Sequence, residues 1–337
     1  MSQLQLNKPT RKVPPSGPRT ARIAIVGEAP GTHESIQLRP FVGPAGSVLD
    51  QCLHAAGLIR SECYITNVVN VQPPGNDIAP YFSSTRGTFT EAGQEQVTRL
   101  MEELEGVDAN VIIACGQTAL AALTGISKIL KYRGYFFESR GLSKVRKVLP
   151  TIHPAAALRG MYIYRYIISA DLKKAKEHSL TPGLERPDRQ LVYEYSSIEE
   201  VLQWFEYLEK SERLSVDIEV LNFELACIGF SDNPKIACAI PVAGRWTERD
   251  ELILWRALQR LLKKPMPKVG QNLIFDVHFL LSRCGIEVAG PFEDTMVAHS
   301  IMYPELRKGL DFLGSLYCGT QAYWKDKVKF TNIKEES

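Results

Sequence analysis

The sequence predicts two α/β domains in tandem, the first with a mainly parallel sheet and the second with an antiparallel meander. Up to about residue 180, short runs of β-branched and apolar residues alternate with helical patterns, which indicates parallel strands covered by helices. A segment with two prolines and mixed charge follows, and the strand and helix patterns then restart. We therefore expect a flexible arm over 1–20, a first domain over 21–180, a linker over 181–192 and a second domain over 193–337.

The composition fits an intracellular protein with two cores. The chain has 337 residues, 45% of them hydrophobic, which is enough for two domains of ordinary size. It contains no apolar run of membrane-spanning length and no signal peptide at its start, so we expect a cytoplasmic protein with no membrane partner. Its seven cysteines include no Cys-x-x-Cys pair, which argues against a disulfide framework and a zinc ribbon. A net charge of +2 neither requires nor excludes a nucleic-acid partner.

The first domain is organised around residues 22–50. An apolar run from Arg22 to Val26 stops at the turn GEAPG, residues 27–31, and a second glycine-bearing loop at 41–46 opens a helix. Turns of this kind leave backbone N–H groups exposed. Two such loops around one aromatic, Phe41, predict a pocket floor for a flat polar group. Taken alone, however, a strand, a turn and a helix fit any α/β domain.

The remaining elements of this domain alternate in the same way. Because the carboxyl ends of parallel strands form the ligand-binding edge of a sheet, we expect Gly27 and Asn67 to lie at that edge. The sequence predicts strands at 63–69 and 109–114, helices at 90–104 and 117–123, and a last strand that runs into the turn at His153.

Four segments of the first domain resemble family 4 uracil-DNA glycosylases, and they come in that family's order. They are GEAPG at 27–31, RPFVGPAG at 39–46, TNVVNVQPPGN at 66–76 and HPAAALR at 153–159. The resemblance covers roughly residues 20 to 180. It implies a three-layer α/β/α sandwich that hydrolyses the bond between uracil and deoxyribose in DNA.

The resemblance also implies a uracil-binding set. The base must leave the stack and enter a pocket that reads its edge. There Asn67 would donate to uracil O4 and accept from N3–H, Phe41 would stack on the ring, and His153 would donate to O2 as negative charge collects on the leaving base. Gly27 belongs to the same set.

Three further residues receive roles from the resemblance. Glu28, the nearest titratable group in the motif, would position the attacking water, although Ala29 stands where other branches of the superfamily carry an Asp for that water. Leu158 would fill the vacated stack as an apolar wedge, and Arg159 would contact a phosphate.

The first domain departs from the family in two places. Family 4 enzymes carry four cysteines for an iron–sulfur cluster, but here no cysteine precedes Cys52 and the segment 91–94 has none, so we expect no cluster. The segment His33-Glu34-Ser35 stands where the family tends toward a Glu-Asp pair. A reduced activity and a non-catalytic DNA-reading role therefore both stay open.

The second domain presents carboxylates in a metal-binding pattern. Asp217 and Glu219 are two apart on a predicted strand and so face the same side, which favours Mg²⁺ or Mn²⁺ between them. Taken alone, Asp-x-Glu is a weak signal. A helical Asn272-x-x-x-Asp276 motif and a later Asp294-Thr295 support it.

Together these motifs resemble the 3′–5′ proofreading exonuclease domain of family A DNA polymerases. The resemblance implies a mixed α/β, ribonuclease H-like fold in which Asp217, Glu219 and Asp276 bind two metal ions and Asn272 orients the strand terminus. The family's third motif, Tyr-x-x-x-Asp, is missing, and Asp326 comes too early to replace it. Either the chain is part of a longer polymerase, or this domain has lost a metal ligand.

The two halves together are similar to the front of a phage-type family A DNA polymerase. The leading hypothesis is a DNA replication and repair enzyme that acts on single-stranded DNA or a primer terminus, with a polymerase domain in a longer chain or in trans. Two alternatives stay open. One is a non-catalytic DNA-binding module with decayed sites, and the other is a glycosylase with an inert appended domain.

Overall fold

The computed structural model describes residues 11–185 and 188–318. The chain divides into two compact units. The first comprises the residues up to Arg186 together with the segment from Asp311, and the second comprises Pro187–Leu310.

The first unit is built on a five-stranded sheet of order β2-β1-β5-β7-β6, in which only β6 is antiparallel to its neighbour. A separate short hairpin pairs β3 with β4. The strands are β1 (Ile23–Gly27), β2 (Tyr64–Asn67), β3 (Phe82–Ser83), β4 (Thr88–Phe89), β5 (Val111–Cys115), β6 (Phe137–Glu138) and β7 (Lys147–Thr151). The helices are α1 (Thr32–Gln37), α2 (Pro44–Ala55), α3 (Glu91–Glu105), α4 (Gln117–Thr124), α5 (Ile129–Tyr132) and α6 (Tyr164–His178).

Helices cover both faces of this sheet, which gives the predicted three layers. The central strands β1 and β5 are buried along their whole length. Successive strand residues point to opposite faces, and Val26 and Ile112 pack with α3 and α4 in one core. On the other face, α6 contacts β5, β7 and α2. The alternation of strand and helix in the sequence therefore predicted this fold class correctly.

The flexible arm expected over 1–20 is corrected for its second half. Val13 is buried, and the backbone forms isolated antiparallel β-bridges between Lys12 and Val71 and between Ser16 and Ile65. An apolar side chain gains free energy on leaving water, so Val13 holds this proline-rich segment against the sheet. Residues 1–10 lie outside the described residues.

The second unit holds a six-stranded mixed sheet of order β13-β12-β9-β10-β11-β8. An antiparallel meander, β9-β10-β11, is flanked by parallel pairs at both edges. The strands are β8 (Gln190–Val192), β9 (Leu214–Leu221), β10 (Glu224–Asn233), β11 (Ile236–Pro241), β12 (Lys268–Gly270) and β13 (Phe292–Asp294). The helices are α7 (Ile198–Leu208), α8 (Glu248–Leu262), α9 (Leu273–Cys284) and α10 (Thr295–Met302). The mixed α/β fold class and the antiparallel meander predicted for this half are confirmed, while the parallel pairs at the edges were not predicted.

The chain folds differently from the expected boundaries at both ends of the second unit. Residues 190–192, expected within the linker, form β8, which pairs with β11. The last helix, α11 (Leu310–Tyr317), groups with the first unit from Asp311 onward. There the buried Lys174 donates to the carbonyls of Gly134, Ser315 and Cys318 at 2.9, 2.7 and 2.9 Å.

Among the described residues, no helix combines the length and the apolar character that crossing a membrane requires.

Candidate active sites

A cavity of about 360 Å³ opens in the first unit where its parallel strands end. Gly27 and Asn67 are the last residues of β1 and β2 and pair in register, so the edge predicted from the sequence exists. His153 follows β7 and reaches the same place. The lining is formed by Ala29, Gly31, Thr32, His33, Glu34, Phe41, Gly43, Pro44, Ala45, Asn67, Asn76 and His153.

Two glycines allow Phe41 and Asn67 to approach each other. A Cβ atom on Gly27 would lie 2.3 Å from Asn67 Oδ1 and 2.5 Å from Phe41 Cζ, so only glycine fits beneath them. A Cβ on Gly46 would lie 1.9 Å from the Phe41 carbonyl oxygen. Phe41 itself has φ of 53°, a backbone conformation that is rare and costly for a bulky residue. The surrounding loops therefore hold the buried Phe41 ring in place against an intrinsic preference.

Glu34 is the residue that joins the two glycine-bearing loops. Its carboxylate accepts hydrogen bonds from the backbone N–H groups of Gly31, Val42 and Gly43 at 3.0, 3.0 and 2.7 Å. Charge-assisted bonds of this kind are among the stronger ones in proteins. The sequence analysis gave Glu34 no role, although a Glu three residues after Gly31 at a helix start is a capping signal that could have found it.

The geometry of His153 fixes its tautomer. Its Nδ1 accepts from the backbone N–H of Ala155 at 3.2 Å, so the proton of the neutral ring is on Nε2. The ring stacks on Phe41 with centroids 5.8 Å apart. Burial lowers the pKa of His153 to about 4, and the positive charge of Arg159 acts in the same direction. At neutral pH the ring is therefore an uncharged donor at the edge of the cavity.

Asn67 offers both a donor and an acceptor to the cavity. Its backbone carbonyl accepts from Arg99 at 2.7 Å, which fixes the main chain at this point. Within the part of the chain that the structure describes, its side-chain amide makes no hydrogen bond. Because the residue lines the cavity, its amide is available to a ligand with complementary groups.

Glu28 lies beside the cavity and is not among its lining residues. Its Oε2 accepts a hydrogen bond of 2.5 Å from the hydroxyl of Thr118, a buried residue in the first turn of α4. The hydroxyl fixes the orientation of the carboxylate. The sequence analysis missed Thr118, because its partner is 90 residues away along the chain.

Leu158 and Arg159 are both exposed and follow the turn that carries His153. An exposed leucine beside an arginine has the placement expected for contact with DNA outside the cavity. The structure thus brings Phe41, Asn67 and His153 together in the cavity, Gly27 beneath them, and Leu158 and Arg159 on the surface next to it.

The acidic residues of the second unit meet at the central strand β9. Asp217 and Glu219 are exposed on one side of β9, while Ile218 between them is buried. The buried Asp276 of α9 accepts a hydrogen bond of 2.9 Å from the backbone N–H of Ile218. Burial raises the pKa of Asp276 to about 6, and the charge of Asp217 adds to this effect. Desolvation, followed by repulsion from Glu219, also raises the pKa of Asp217.

Asp294 has a structural role beside these carboxylates. It accepts from the backbone N–H groups of Leu273 and Met296 at 2.7 and 2.8 Å and so caps the starts of two helices. Asn272 is exposed, with φ of 59°, immediately before α9.

The carboxylates of β9 and α9 are an all-oxygen donor set, which suits a hard divalent cation. Across residues 11–185 and 188–318, no three acidic, histidine or cysteine side chains are placed to hold a metal ion together. Burial is the main cause of the raised pKa values of Asp217 and Asp276, and the neighbouring carboxylates add to it.

Comparison with known proteins identifies the first half. Residues 14–169 match the family model described as the uracil DNA glycosylase superfamily. The type-4 uracil-DNA glycosylase of Thermotoga maritima is 37% identical over 177 residues, which cover 51% of this chain and 85% of that enzyme. The chain belongs to the uracil-DNA glycosylase superfamily. The type-4 enzyme of Archaeoglobus fulgidus, another member, is 34% identical over 173 residues and is covered to 82%.

The second half matches a different family. Residues 193–332 match the model described as 3′-5′ exonuclease. The DNA polymerase of Bacillus phage SP01 is 25% identical over 324 residues, which cover 85% of this chain but 33% of that polymerase. Among solved structures, Escherichia coli RNase D is similar with a TM-score of 0.32 and 16% identity, over 42% of this chain and 36% of RNase D. The chain therefore spans about a third of the length of either protein.

These matches confirm the resemblances drawn from the sequence. The chain joins a domain of the uracil-DNA glycosylase superfamily to a 3′–5′ exonuclease domain, and a single phage DNA polymerase is similar to both halves.

Proposed function

We propose that the first unit hydrolyses the bond between uracil and deoxyribose in DNA. The observation that carries the proposal is the convergence of Phe41, Asn67 and His153 on one cavity of about 360 Å³. The cavity supplies an aromatic face, an amide with both hydrogen-bonding polarities, and a neutral ring N–H. These are the groups needed to hold a flipped pyrimidine and to stabilise it as it leaves.

Asn67 selects the base. Uracil presents an acceptor at O4 and a donor at N3, which match an amide N–H and an amide oxygen, whereas cytosine presents the reverse pattern. Phe41 holds the plane of the ring by stacking. A pyrimidine with the opposite pattern of donors and acceptors would leave the Asn67 amide without hydrogen bonds in the closed cavity. A polar group without a partner away from water is more unfavourable than the same group in water.

His153 stabilises the leaving group. As the glycosidic bond breaks, negative charge develops on uracil O2, and the Nε2–H of His153 donates to it. Because the ring is already neutral and fixed by Ala155, no proton has to be moved and no reorientation is needed at that moment.

Glu28 positions the attacking water with the support of Thr118. The Thr118 hydroxyl donates a hydrogen bond to one carboxylate oxygen of Glu28 and so fixes the orientation of the group. The second oxygen is left to accept a hydrogen bond from the water. Leu158 fills the space that the flipped base leaves, and Arg159 contacts a neighbouring phosphate.

The second unit acts, on this proposal, as a 3′–5′ exonuclease that depends on a divalent cation such as Mg²⁺. Asp217, Glu219 and Asp276 would hold the cation, which supplies water activation and charge stabilisation at the phosphodiester. Asn272, exposed at the start of α9, orients the strand terminus. The similarity to a phage polymerase along most of this chain supports a role beside a polymerase domain, with DNA as the shared substrate.

The test uses end-labelled single-stranded DNA with one uracil, incubated with Mg²⁺ or with EDTA, and half of each sample is then treated with alkali. Breakage at the uracil in EDTA that requires alkali supports the glycosylase, and a ladder from the 3′ end that requires Mg²⁺ supports the exonuclease. The same oligonucleotide with thymine is the control. DNA binding without either reaction would replace both assignments with the accessory-module alternative.

A further inference from the structure

Exposed apolar and aromatic side chains concentrate beside the turn that carries His153. Within residues 11–185, ten large apolar or aromatic side chains are exposed, and four of them fall between residues 158 and 166. Single exposed residues of this kind are ordinary, whereas a cluster marks an interaction site. The four are Leu158, Met161, Tyr162 and Tyr166.

The two tyrosines lie at the start of α6 beside an arginine. Tyr162 is in the turn just before the helix and Arg165 and Tyr166 are in its first turn, where the backbone N–H of Arg165 donates to the Tyr162 carbonyl at 3.0 Å. The guanidinium of Arg165 lies 5.6 Å from the centre of the Tyr162 ring. The two rings are 69% and 68% exposed, so they add almost nothing to the core.

The segment that carries these rings follows the cavity residue His153 closely along the chain. Arg165 Nη1 donates to Gln51 Oε1 on α2 at 2.7 Å, and α2 is the helix that the Phe41 loop opens. The 3₁₀ turn Pro154–Leu158 leads from His153 directly toward Tyr162. The stretch from His153 to Tyr166 therefore links a residue of the cavity to the exposed rings.

The charge beside the rings favours nucleic acid over protein. Residues 154–170 include Arg159 and Arg165 and no acidic residue, and the exposed acid Glu177 comes only later in α6. Exposed aromatic rings interleaved with basic side chains are the composition of sites that stack the bases of single-stranded DNA.

We propose that Tyr162 and Tyr166 form a stacking platform for unpaired bases on one side of the flipped nucleotide, with Arg165 against the backbone. The proposal deepens the glycosylase function and rests on it. It predicts that the first unit prefers single-stranded DNA and that its binding site extends a few nucleotides beyond the uracil, in one direction only.

The test measures binding to a thymine-only oligonucleotide, so that it does not depend on catalysis. Fluorescence anisotropy in EDTA, which keeps divalent ions from the second unit, compares the full chain with Y162A, Y166A and the double variant. We expect the double variant to raise the Kd for single-stranded DNA by roughly 10- to 100-fold, as the loss of base stacking does elsewhere, and to change the Kd for duplex DNA less than twofold.

Two controls separate stacking from other effects. The double phenylalanine variant keeps both rings and should bind within about twofold of the unchanged protein, because stacking does not need the hydroxyl. Y193A removes an exposed tyrosine of the second unit and should change nothing. Thermal unfolding of all variants should coincide, since the altered side chains are exposed.

Rates of uracil release then show on which side of the uracil, 5′ or 3′, the platform binds the strand. With oligonucleotides that extend on only one side of the uracil, the double variant should lower kcat/KM for one polarity and leave the other unchanged. Unchanged binding by the double variant, an equal loss for duplex DNA, or a loss with Y193A would overturn the platform. If the unchanged protein releases no uracil while the tyrosine variants still weaken binding, the glycosylase assignment fails and the platform stands.

Discussion

The two candidate sites differ in how their polar groups are satisfied. In the first unit, Glu34 accepts hydrogen bonds from three backbone N–H groups, and the backbone N–H of Ala155 fixes the ring orientation of His153. The polar groups of this cavity are therefore held in place before any ligand binds. In the second unit, burial raises the pKa of both Asp217 and Asp276, and repulsion adds to it, from Glu219 on Asp217 and from Asp217 on Asp276. A preorganised pocket needs only its substrate, whereas crowded carboxylates need a cation. The functions proposed for the two sites therefore differ in their need for a metal ion.

Replacing a carboxylate at the second site tests this contrast most strongly. We expect Asp217→Asn to lower Mg²⁺-dependent shortening from the 3′ end by about a thousandfold or more, since the cation contributes several kcal/mol to the transition state. Uracil release should be unchanged. Thermal stability without Mg²⁺ should not fall, because the substitution relieves repulsion.

Glu224→Gln is the matched control, because Glu224 is an exposed acid at the start of the neighbouring strand β10. Full exonuclease activity in the Asp217→Asn variant would contradict the assignment of the cation site.

The next effect concerns the donor of the first site. We expect His153→Ala to lower single-turnover uracil release by about 100- to 1,000-fold, the loss found when one preorganised donor to a developing anion is removed. EDTA should not alter this result. His54→Ala changes an exposed histidine on α2 and should leave the rate intact, and an equal loss in both variants would remove the special role of His153.

The hydroxyl of Thr118 should have a smaller effect on uracil release than the ring of His153. We expect Thr118→Val to lower kcat for uracil release about tenfold with KM unchanged, as removal of a hydrogen bond to a charged group does. Thr118→Ser should retain the rate.

A double-mutant cycle separates positioning from stability. In a Glu28→Gln background, Thr118→Val should have little further effect if the hydroxyl acts through Glu28. Full additivity of the two substitutions would show that Thr118 acts elsewhere.

The smallest effect is a pH dependence that should be nearly absent. Because burial lowers the pKa of His153 to about 4, the ring takes up its proton only as the pH falls toward 4. Single-turnover uracil release should therefore change less than about twofold between pH 7 and pH 5.5, whereas a histidine of ordinary pKa would lose about tenfold over the same range. A tenfold decline would mean that His153 is solvated in solution.

The sequence predicted the parts of this chain that local patterns determine. The buried strands and the glycine-bearing loops were foreseen, since apolar runs and turn residues are read within a few positions. The acceptors of Thr118 and of Lys174 could not be foreseen, because they lie 90 and 141 to 144 residues away and only tertiary packing brings them near. Likewise, the proline-rich segment around Val13 reads as a flexible arm until its contact with the sheet is known.

Helix α11 has a practical consequence for dissecting this chain. Lys174 is buried and its ammonium group relies on three carbonyls, two of them from Ser315 and Cys318. A gene fragment that ends near residue 185 would encode the cavity but lose two of the three acceptors of Lys174 together with the buried Phe312, whose ring packs against Arg133, so groups that are now covered would be exposed to water. Residues 11–185 alone are therefore not a complete folding unit. A working excised version must bring residues 311–318 along, as a fused or separately added peptide.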